Sequence, residues 1–244
     1  MNSRALAALA VASLAALAAP AQAVIVLNNG DSRGLDVILG STNPDHAVQI
    51  GDKLFTFVTW TSVAFPPPAV SIAAYIANNP LQGTGFDITG GFGDVNPNDP
   101  SISEFNLRYT VEILPSFIQQ GYRITDSELT FNGNATGPGS YARVDETLLD
   151  VNGVPGQNLI TPSSVYSYGS NPGANVSQDH RVFGPPGYTK IEVNKDVQFF
   201  ANAPGGTASA SFVRQSFSQT IIPAPGAAAL LGLAGLTAGR RRRR

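Results

Sequence analysis

Oxygen-bearing side chains are concentrated in one glycine- and proline-rich segment, GGFGDVNPNDPSISE, at residues 90–104. Its potential metal ligands are Asp94, Asn96, Asn98, Asp99 and Glu104. Carboxylate and amide oxygens are the ligands that Ca²⁺ accepts in irregular geometry. The glycine that an EF-hand loop has at its sixth position is replaced here by Asp99, so the pattern predicts an irregular calcium site in a loop. A solvated turn is the alternative, because Asn, Asp and Pro are also common turn residues.

A second acidic group lies in YARVDETLLDVNG, which contains Asp145, Glu146 and Asp150. A pair of carboxylates can act as general acid and base in glycoside hydrolysis. Neighbouring residues of a strand point to opposite faces of a sheet, however, so Asp145 and Glu146 are expected to diverge. The pattern therefore predicts a solvated strand edge and not a catalytic pair.

The two histidines, His46 and His180, do not belong to a catalytic motif. His180 lies between Asp179 and Arg181, and on a strand its side chain would point away from both. The sequence contains no G-x-S-x-G elbow, no H-E-x-x-H helix and no cysteine. An enzyme is accordingly the least favoured class of function, and both histidines are expected to be structural or surface residues.

Three aromatic residues, Trp60, Tyr166 and Tyr168, are candidates for a platform that stacks on sugar rings. Trp60 lies within the strongly apolar segment LFTFVTWTSV. This context favours packing of Trp60 in the core. The two tyrosines remain the better candidates for contact with a sugar.

The elements that must position these residues are predicted from alternating hydrophobicity. In residues 103–114, for example, Phe105, Leu107 and Tyr109 alternate with polar residues, which is typical of a half-buried strand. Similar strands are predicted at residues 54–63, 70–77, 128–133, 140–149, 190–201 and 207–222, with one helical turn at residues 116–120. Turn residues separate the strands and no crossover helix intervenes. The sequence therefore predicts an all-β fold, an antiparallel β-sandwich or jelly-roll-like single domain at residues 24–222.

The N-terminal residues 1–23 have the order of a signal peptide. Arg4 is followed by an uncharged apolar run and then by Ala21-Gln22-Ala23. Small residues at the first and third positions before the cut are the peptidase signal. We expect cleavage after Ala23 and export of the protein.

The C-terminal residues 223–244 have three parts. Pro223, Ala224 and Pro225 precede an uncharged run at residues 226–239, and the chain ends in Arg240, Arg241, Arg242, Arg243 and Arg244. The apolar run is shorter than the roughly 20 residues of a comfortable membrane helix. Cytoplasmic arginines would halt export and hold the chain in the membrane transiently. An ordinary C-terminal anchor is the alternative.

This order of proline motif, apolar run and terminal arginines resembles the PEP-CTERM sorting signal. The resemblance covers about the last two dozen residues and implies processing by an exosortase at the cell envelope. Pro223 and Pro225 match the two prolines of that motif, and Ala224 stands where glutamate is usual. The resemblance implies a route and not an activity.

The charge of the exported part excludes some partners. The chain has 15 Lys and Arg residues, and six of these, Arg4 and the five terminal arginines, lie in the two targeting segments. The domain between these segments therefore has nine basic residues and all 17 acidic residues, which gives it a net charge of about −8. Nucleic acid is therefore not an expected partner. The favoured function is a structural or adhesive protein of the envelope or extracellular matrix. The alternative is a carbohydrate- or surface-binding module; ice binding is remote, because no solenoid repeat is visible.

Overall fold

The computed structural model describes residues 24–78, 83–95, 101–202 and 205–222. Within these residues the chain forms fourteen strands and two short helices. The elements, in chain order, are β1 (Ile25–Leu27), β2 (Ser32–Gly34), α1 (Leu35–Ile38), β3 (Ala47–Ile50), β4 (Lys53–Ser62), β5 (Val70–Ile76), β6 (Thr84–Asp94), β7 (Ser103–Ile113), α2 (Pro115–Gln119), β8 (Tyr122–Phe131), β9 (Asn134–Thr136), β10 (Tyr141–Asp150), β11 (Leu159–Tyr168), β12 (Gln178–Val182), β13 (Lys190–Phe200) and β14 (Thr207–Ile221).

The strands form two sheets. In the first sheet the order is β1-β3-β4-β7-β13-β10-β11, and in the second it is β12-β8-β14-β6-β5-β2, with β9 paired to β14. Neighbouring strands are antiparallel except for β1 and β3, which are parallel. The all-β sandwich predicted from the sequence is confirmed.

The core lies between the two sheets. Every second side chain of a strand points into it, and most of these side chains are apolar. In β7, for example, Phe105, Tyr109 and Ile113 are fully buried. Phe55 and Tyr109 of the first sheet contact Phe86 of the second at ring-centroid distances of 5.2 Å and 5.1 Å. Aromatic rings with edge-to-face contacts therefore join the two layers.

The strands predicted from alternating hydrophobicity are present, with shifts of a few residues at most of their ends. The prediction at residues 128–133 captured only the end of β8, which begins at Tyr122. The predicted helical turn corresponds to α2. Seven strands were not predicted: β1, β2, β3, β6, β9, β11 and β12. As a consequence, the expectation of one loop at residues 90–104 is wrong, because Asp94 ends β6 and Glu104 lies in β7.

Among the described residues, no helix has the length and apolar character required to cross a bilayer. The predicted signal peptide at residues 1–23 and the predicted sorting signal at residues 223–244, including Pro223, Ala224, Pro225 and the five arginines, lie outside the described residues.

Candidate functional site

Four half-buried aromatic side chains form a continuous patch on the outer face of the first sheet. Tyr141 of β10 lies directly opposite Tyr168 of β11 on one side and Phe200 of β13 on the other. Its ring centroid is 6.4 Å from that of Tyr168 and 5.5 Å from that of Phe200. Tyr166 lies 5.1 Å from Tyr168. We call these four residues the aromatic face.

Strand alternation directs these rings outward. Ala142 and Val144 of β10 are fully buried, as is Val165 of β11, so Tyr141, Tyr166 and Tyr168 must lie on the opposite surface of the sheet. The rings are held on three adjacent strands, of which β11 is the edge of the sheet and β10 and β13 are the next two strands. A platform on paired strands is more rigid than one built on loops.

A band of polar side chains lies next to the aromatic face on the same three strands. Arg143 is opposite Tyr166 on one side and Gln198 on the other, and Asp145 is opposite Asp196. We call Arg143, Asp145, Asp196 and Gln198 the polar band. It places hydrogen-bonding groups beside apolar ring faces, which is the composition of many sites that bind small molecules.

Hydrogen bonds order the side chains of the polar band. Arg143 forms an ion pair with Asp145, whose Oδ1 also accepts a hydrogen bond of 2.8 Å from the Ser164 hydroxyl. Gln198 donates a hydrogen bond of 2.8 Å to Asp196. Side chains held in this way lose little conformational freedom when a ligand binds.

Three groups at the site, Asp196, Tyr141 and Arg143, have raised pKa values. Burial raises the pKa of Asp196, and the carboxylates of Glu104 and Asp145 raise it further. Burial also raises the pKa of Tyr141. The Tyr141 hydroxyl therefore stays protonated at neutral pH and remains a hydrogen-bond donor.

A groove of about 790 Å³ adjoins the same face of the sheet. It is lined by residues that include Trp60, Ser62, Ile102, Glu104 and Asn106. Glu104 and Asn106 lie opposite Gln198 and Asp196, so the groove continues from the polar band. A chain-like ligand has room to extend from the aromatic face into it.

Trp60 has the core role expected from its apolar context. Its ring stacks on Phe105 at 4.5 Å, and its indole N–H donates to the carbonyl of Phe65 at 3.1 Å. Of the three aromatic candidates, the two tyrosines therefore belong to the aromatic face, and Trp60 forms the wall of the groove.

The predicted calcium ligands are only partly described. Asp94 is buried and its Oδ2 accepts a hydrogen bond of 2.9 Å from the backbone N–H of Ala201. Glu104 lies on the outer face of β7. Asn96, Asn98 and Asp99 lie outside the described residues. No cluster of three or more His, Asp or Glu suited to a metal occurs in the described part of the chain, and calcium binding by the five residues stays a prediction.

The expectation of a solvated edge for Asp145, Glu146 and Asp150 is wrong. Strand β10 lies between β13 and β11, inside the sheet. The divergence of Asp145 and Glu146 is confirmed, because Asp145 is on the outer face whereas Glu146 is buried in the core. The strand edge was wrongly predicted because the position of β10 within the sheet depends on β11 and β13, which are distant in sequence.

The two histidines lie at turn and surface positions. His46 has a positive φ of 52° in the turn before β3. The His180 side chain is 51% exposed, and its Nε2 lies 3.6 Å from Asp126 Oδ1. The adjacent Asp179 instead pairs with Arg181 and accepts a hydrogen bond from Ser163. His180 therefore takes no part in a pair with Asp179.

No protein-family model matches the sequence, and no curated protein aligns with it significantly. Solved structures with some similarity include carbohydrate-binding modules as well as enzymes, among them an α-L-arabinofuranosidase and a cellulase. One is a carbohydrate-binding module in complex with β-1,4-galactotriose, at 11% identity and a TM-score of 0.28, covering 64% of this chain and 86% of that one. A module that recognises mannan has 10% identity and a TM-score of 0.25, covering 66% and 97%. A family 11 module from Clostridium thermocellum, in complex with a mixed-linked tetrasaccharide, has 12% identity and a TM-score of 0.21, covering 66% and 94%.

Proposed function

We propose that this chain is an exported carbohydrate-binding protein that attaches to a polysaccharide of the cell envelope or extracellular matrix through the aromatic face. The observation that carries the proposal is the row of Tyr168, Tyr141 and Phe200 across three neighbouring strands. The C–H groups on the face of a sugar ring are apolar and pack against the negative face of an aromatic ring. A row of rings suits a chain of sugar units better than a single small molecule.

The polar band supplies the hydrogen bonds that such a ligand requires. Sugar hydroxyls both donate and accept, and Arg143, Gln198 and the two aspartates offer donors and acceptors beside the rings. The only cation in the band, Arg143, is neutralised by Asp145. Because the exported domain carries about −8 and the band has no free cation, we expect a neutral polysaccharide and not an acidic one.

Affinity electrophoresis tests this function. The protein is run in native gels that contain a neutral β-galactan, mannan or mixed-linked glucan, and in matched gels that contain polygalacturonate. We expect retardation by at least one neutral polymer and none by the acidic polymer. Unchanged mobility in every gel, together with no heat of binding in calorimetry, would contradict the proposal.

We propose that the C-terminal residues 223–244 sort the protein to this location in three steps. The terminal arginines halt export, the apolar run holds the chain in the membrane, and Pro223 and Pro225 present the chain to an exosortase-like enzyme outside. Binding to a matrix polysaccharide after cleavage would make the protein an adhesive component of that matrix.

Mutation of the tail separates these steps. Replacing the five arginines with serine removes the stop, so the protein should reach the medium with an uncut tail. Replacing Pro223 and Pro225 with alanine removes the residues proposed to present the chain for cleavage, so a full-length membrane-bound form should accumulate. The measurement is intact mass in a host that has an exosortase. If the mature wild-type protein still carries residues 226–244, the proposed cleavage is wrong and the tail is an ordinary C-terminal anchor.

A further inference from the structure

Three polar side chains are buried together between the two sheets, and the two from the first sheet lie on the face opposite to the aromatic face. Lys195 of β13 and Glu146 of β10 are directly opposite each other in the first sheet. Gln215 of β14 reaches them from the second sheet. Their exposed fractions are 2%, 2% and 0%. We call these three residues the core triad.

The atoms of the core triad are in contact. Lys195 Nζ contacts Glu146 Oε2, and it lies 2.5 Å from Gln215 Oε1. The amine nitrogen is thus beside both a carboxyl group and the carbonyl of a carboxamide. These are the groups that an aminolysis of the amide requires: a nucleophile, an electrophilic carbon and a general acid–base.

Apolar residues flank each member of the core triad along its strand. The residues two positions before and after each member lie on the same face of its strand. All six of these neighbours are fully buried: Val193, Val197, Val144, Leu148, Val213 and Phe217. Water is therefore kept from the amine and from the amide carbon, which protects both from competing hydrolysis.

Burial shifts the protonation of both ionisable members towards their neutral forms. Burial lowers the pKa of Lys195, against the opposing effect of Glu146. Burial raises the pKa of Glu146, against the opposing effect of Lys195. Transfer of one proton from the ammonium to the carboxylate gives a neutral amine beside a carboxylic acid, and the neutral amine is the form that attacks.

We propose that Lys195 and Gln215 form an amide cross-link between the two sheets, with Glu146 as the general acid–base. The Nζ lone pair attacks Cδ of Gln215, and the protonated Glu146 stabilises the oxygen of the tetrahedral intermediate. Glu146 then gives its proton to Nε2, and the carboxylate so formed takes a proton from Nζ, which regenerates the acid. The Cδ–Nε2 bond breaks and ammonia leaves, so that one C–N bond replaces another and no oxidant or co-reactant is consumed.

The cross-link also resolves an unfavourable feature of the uncoupled core. Gln215 Nε2 and Glu146 Oε1 are buried, and neither has a hydrogen-bond partner among the described residues. Unpaired buried polar groups are costly. Loss of ammonia removes the unpaired donor and leaves an amide N–H directed at the Glu146 carboxyl group. The chain contains no cysteine, so this bond would supply the covalent connection that disulfides give other exported proteins.

Mass spectrometry of the full-length wild-type protein, purified and denatured, tests the cross-link. We expect an intact mass lower than the sequence mass by one ammonia molecule. Chymotrypsin cuts after Tyr188, Phe199, Phe212 and Phe217, so digestion should release peptides 189–199 and 213–217 joined through Lys195 and Gln215. In peptide 213–217 the glutamine is not at the amino terminus, where glutamine itself cyclises with loss of ammonia.

Variants assign the role of each group. Lys195→Arg removes the nucleophile but keeps the charge, and it should restore the full sequence mass and lower the melting temperature. Glu146→Gln should likewise leave the two peptides separate. Lys190→Arg changes a lysine that pairs with Glu112 on the outer face. The two peptides should still be linked in this variant, with only the mass difference between lysine and arginine. Separate peptides from the folded wild-type protein would overturn the proposal, and a link from Lys195 to Glu146 with loss of water would overturn the assignment of Gln215.

Discussion

Replacing Lys195 with methionine is expected to lower the free energy of unfolding by about 3–5 kcal/mol, because the change leaves the Glu146 carboxylate buried without its partner. Methionine has a similar length and fills the space of the lysine stem. Glu146 is fully buried in the first sheet, so water cannot replace the nitrogen that Lys195 places beside the carboxyl group. The variant also lacks the nucleophile of the proposed cross-link, so any contribution of that bond is lost as well.

The dependence of this loss on pH has a definite sign. Burial raises the pKa of Glu146 above its unfolded value, and removal of Lys195 takes away the largest of the effects that oppose the shift. A carboxyl group whose folded pKa is raised stabilises the fold below the unfolded pKa of about 4.3, and this stabilisation is lost as the pH rises through the folded value. The Lys195→Met variant should therefore be closest to wild type in acid.

The opposite variant should show the opposite dependence. In Glu146→Leu the amine of Lys195 is buried without a carboxylate, and burial lowers its pKa. A group with a lowered folded pKa stabilises the fold above its unfolded pKa, and this stabilisation is lost as the pH falls through the folded value. Chemical denaturation of both variants across pH checks these two slopes.

The double variant Lys195→Met, Glu146→Leu is the matched control. It removes both charges together, and an apolar replacement of a buried ion pair is often neutral or stabilising. We expect it to recover the stability that either single change loses through the unpaired buried group, but not the contribution of the cross-link, which also requires Lys195. Single variants as stable as wild type at neutral pH would show that the two groups do not depend on each other.

The strands that are best predicted from the sequence are those with one buried face and one solvent-exposed face. In β7 and β13 the apolar and polar residues alternate over the whole strand, and this local pattern alone indicates a strand. Strand β6 was missed because Gly85, Gly90, Gly91 and Gly93 interrupt the pattern. Glycine is unfavourable in strands on its own, and here the pairing of β6 with β14 and β5 outweighs that preference.

The candidate site was only half predictable, because it depends on strand pairing. Tyr166 and Tyr168 were recognised as aromatic candidates, whereas Tyr141 and Phe200 were not. Tyr141 and Tyr168 are distant in sequence, and they meet only through the register of β10 with β11. The same is true of the core triad, in which Glu146 and Lys195 are 49 residues apart. Local patterns determine which face of a strand is polar but not which strands become neighbours.

Replacing Tyr141 with alanine is expected to weaken binding to the neutral polysaccharide at least about 30-fold, which corresponds to the roughly 2 kcal/mol of a binding hot spot. Tyr141 is central in the aromatic face, because it contacts both Tyr168 and Phe200. Its removal divides the row into two separate parts. Calorimetry with the polymer that retards the wild-type protein measures the loss, and Tyr141→Phe should keep most of the affinity because it keeps the ring.

A tyrosine on the outer face of the other sheet provides the control. Tyr75 of β5 is also half-buried, and its ring lies 4.0 Å from the guanidinium of Arg214. Tyr75→Ala removes the same kind of side chain from the opposite side of the sandwich, so it should leave affinity unchanged. If Tyr141→Ala binds as tightly as Tyr75→Ala and both remain folded, the aromatic face is not the binding surface. If Tyr141→Ala alone loses binding, the row of aromatic rings on β11, β10 and β13 is the part of the protein that holds the sugar chain.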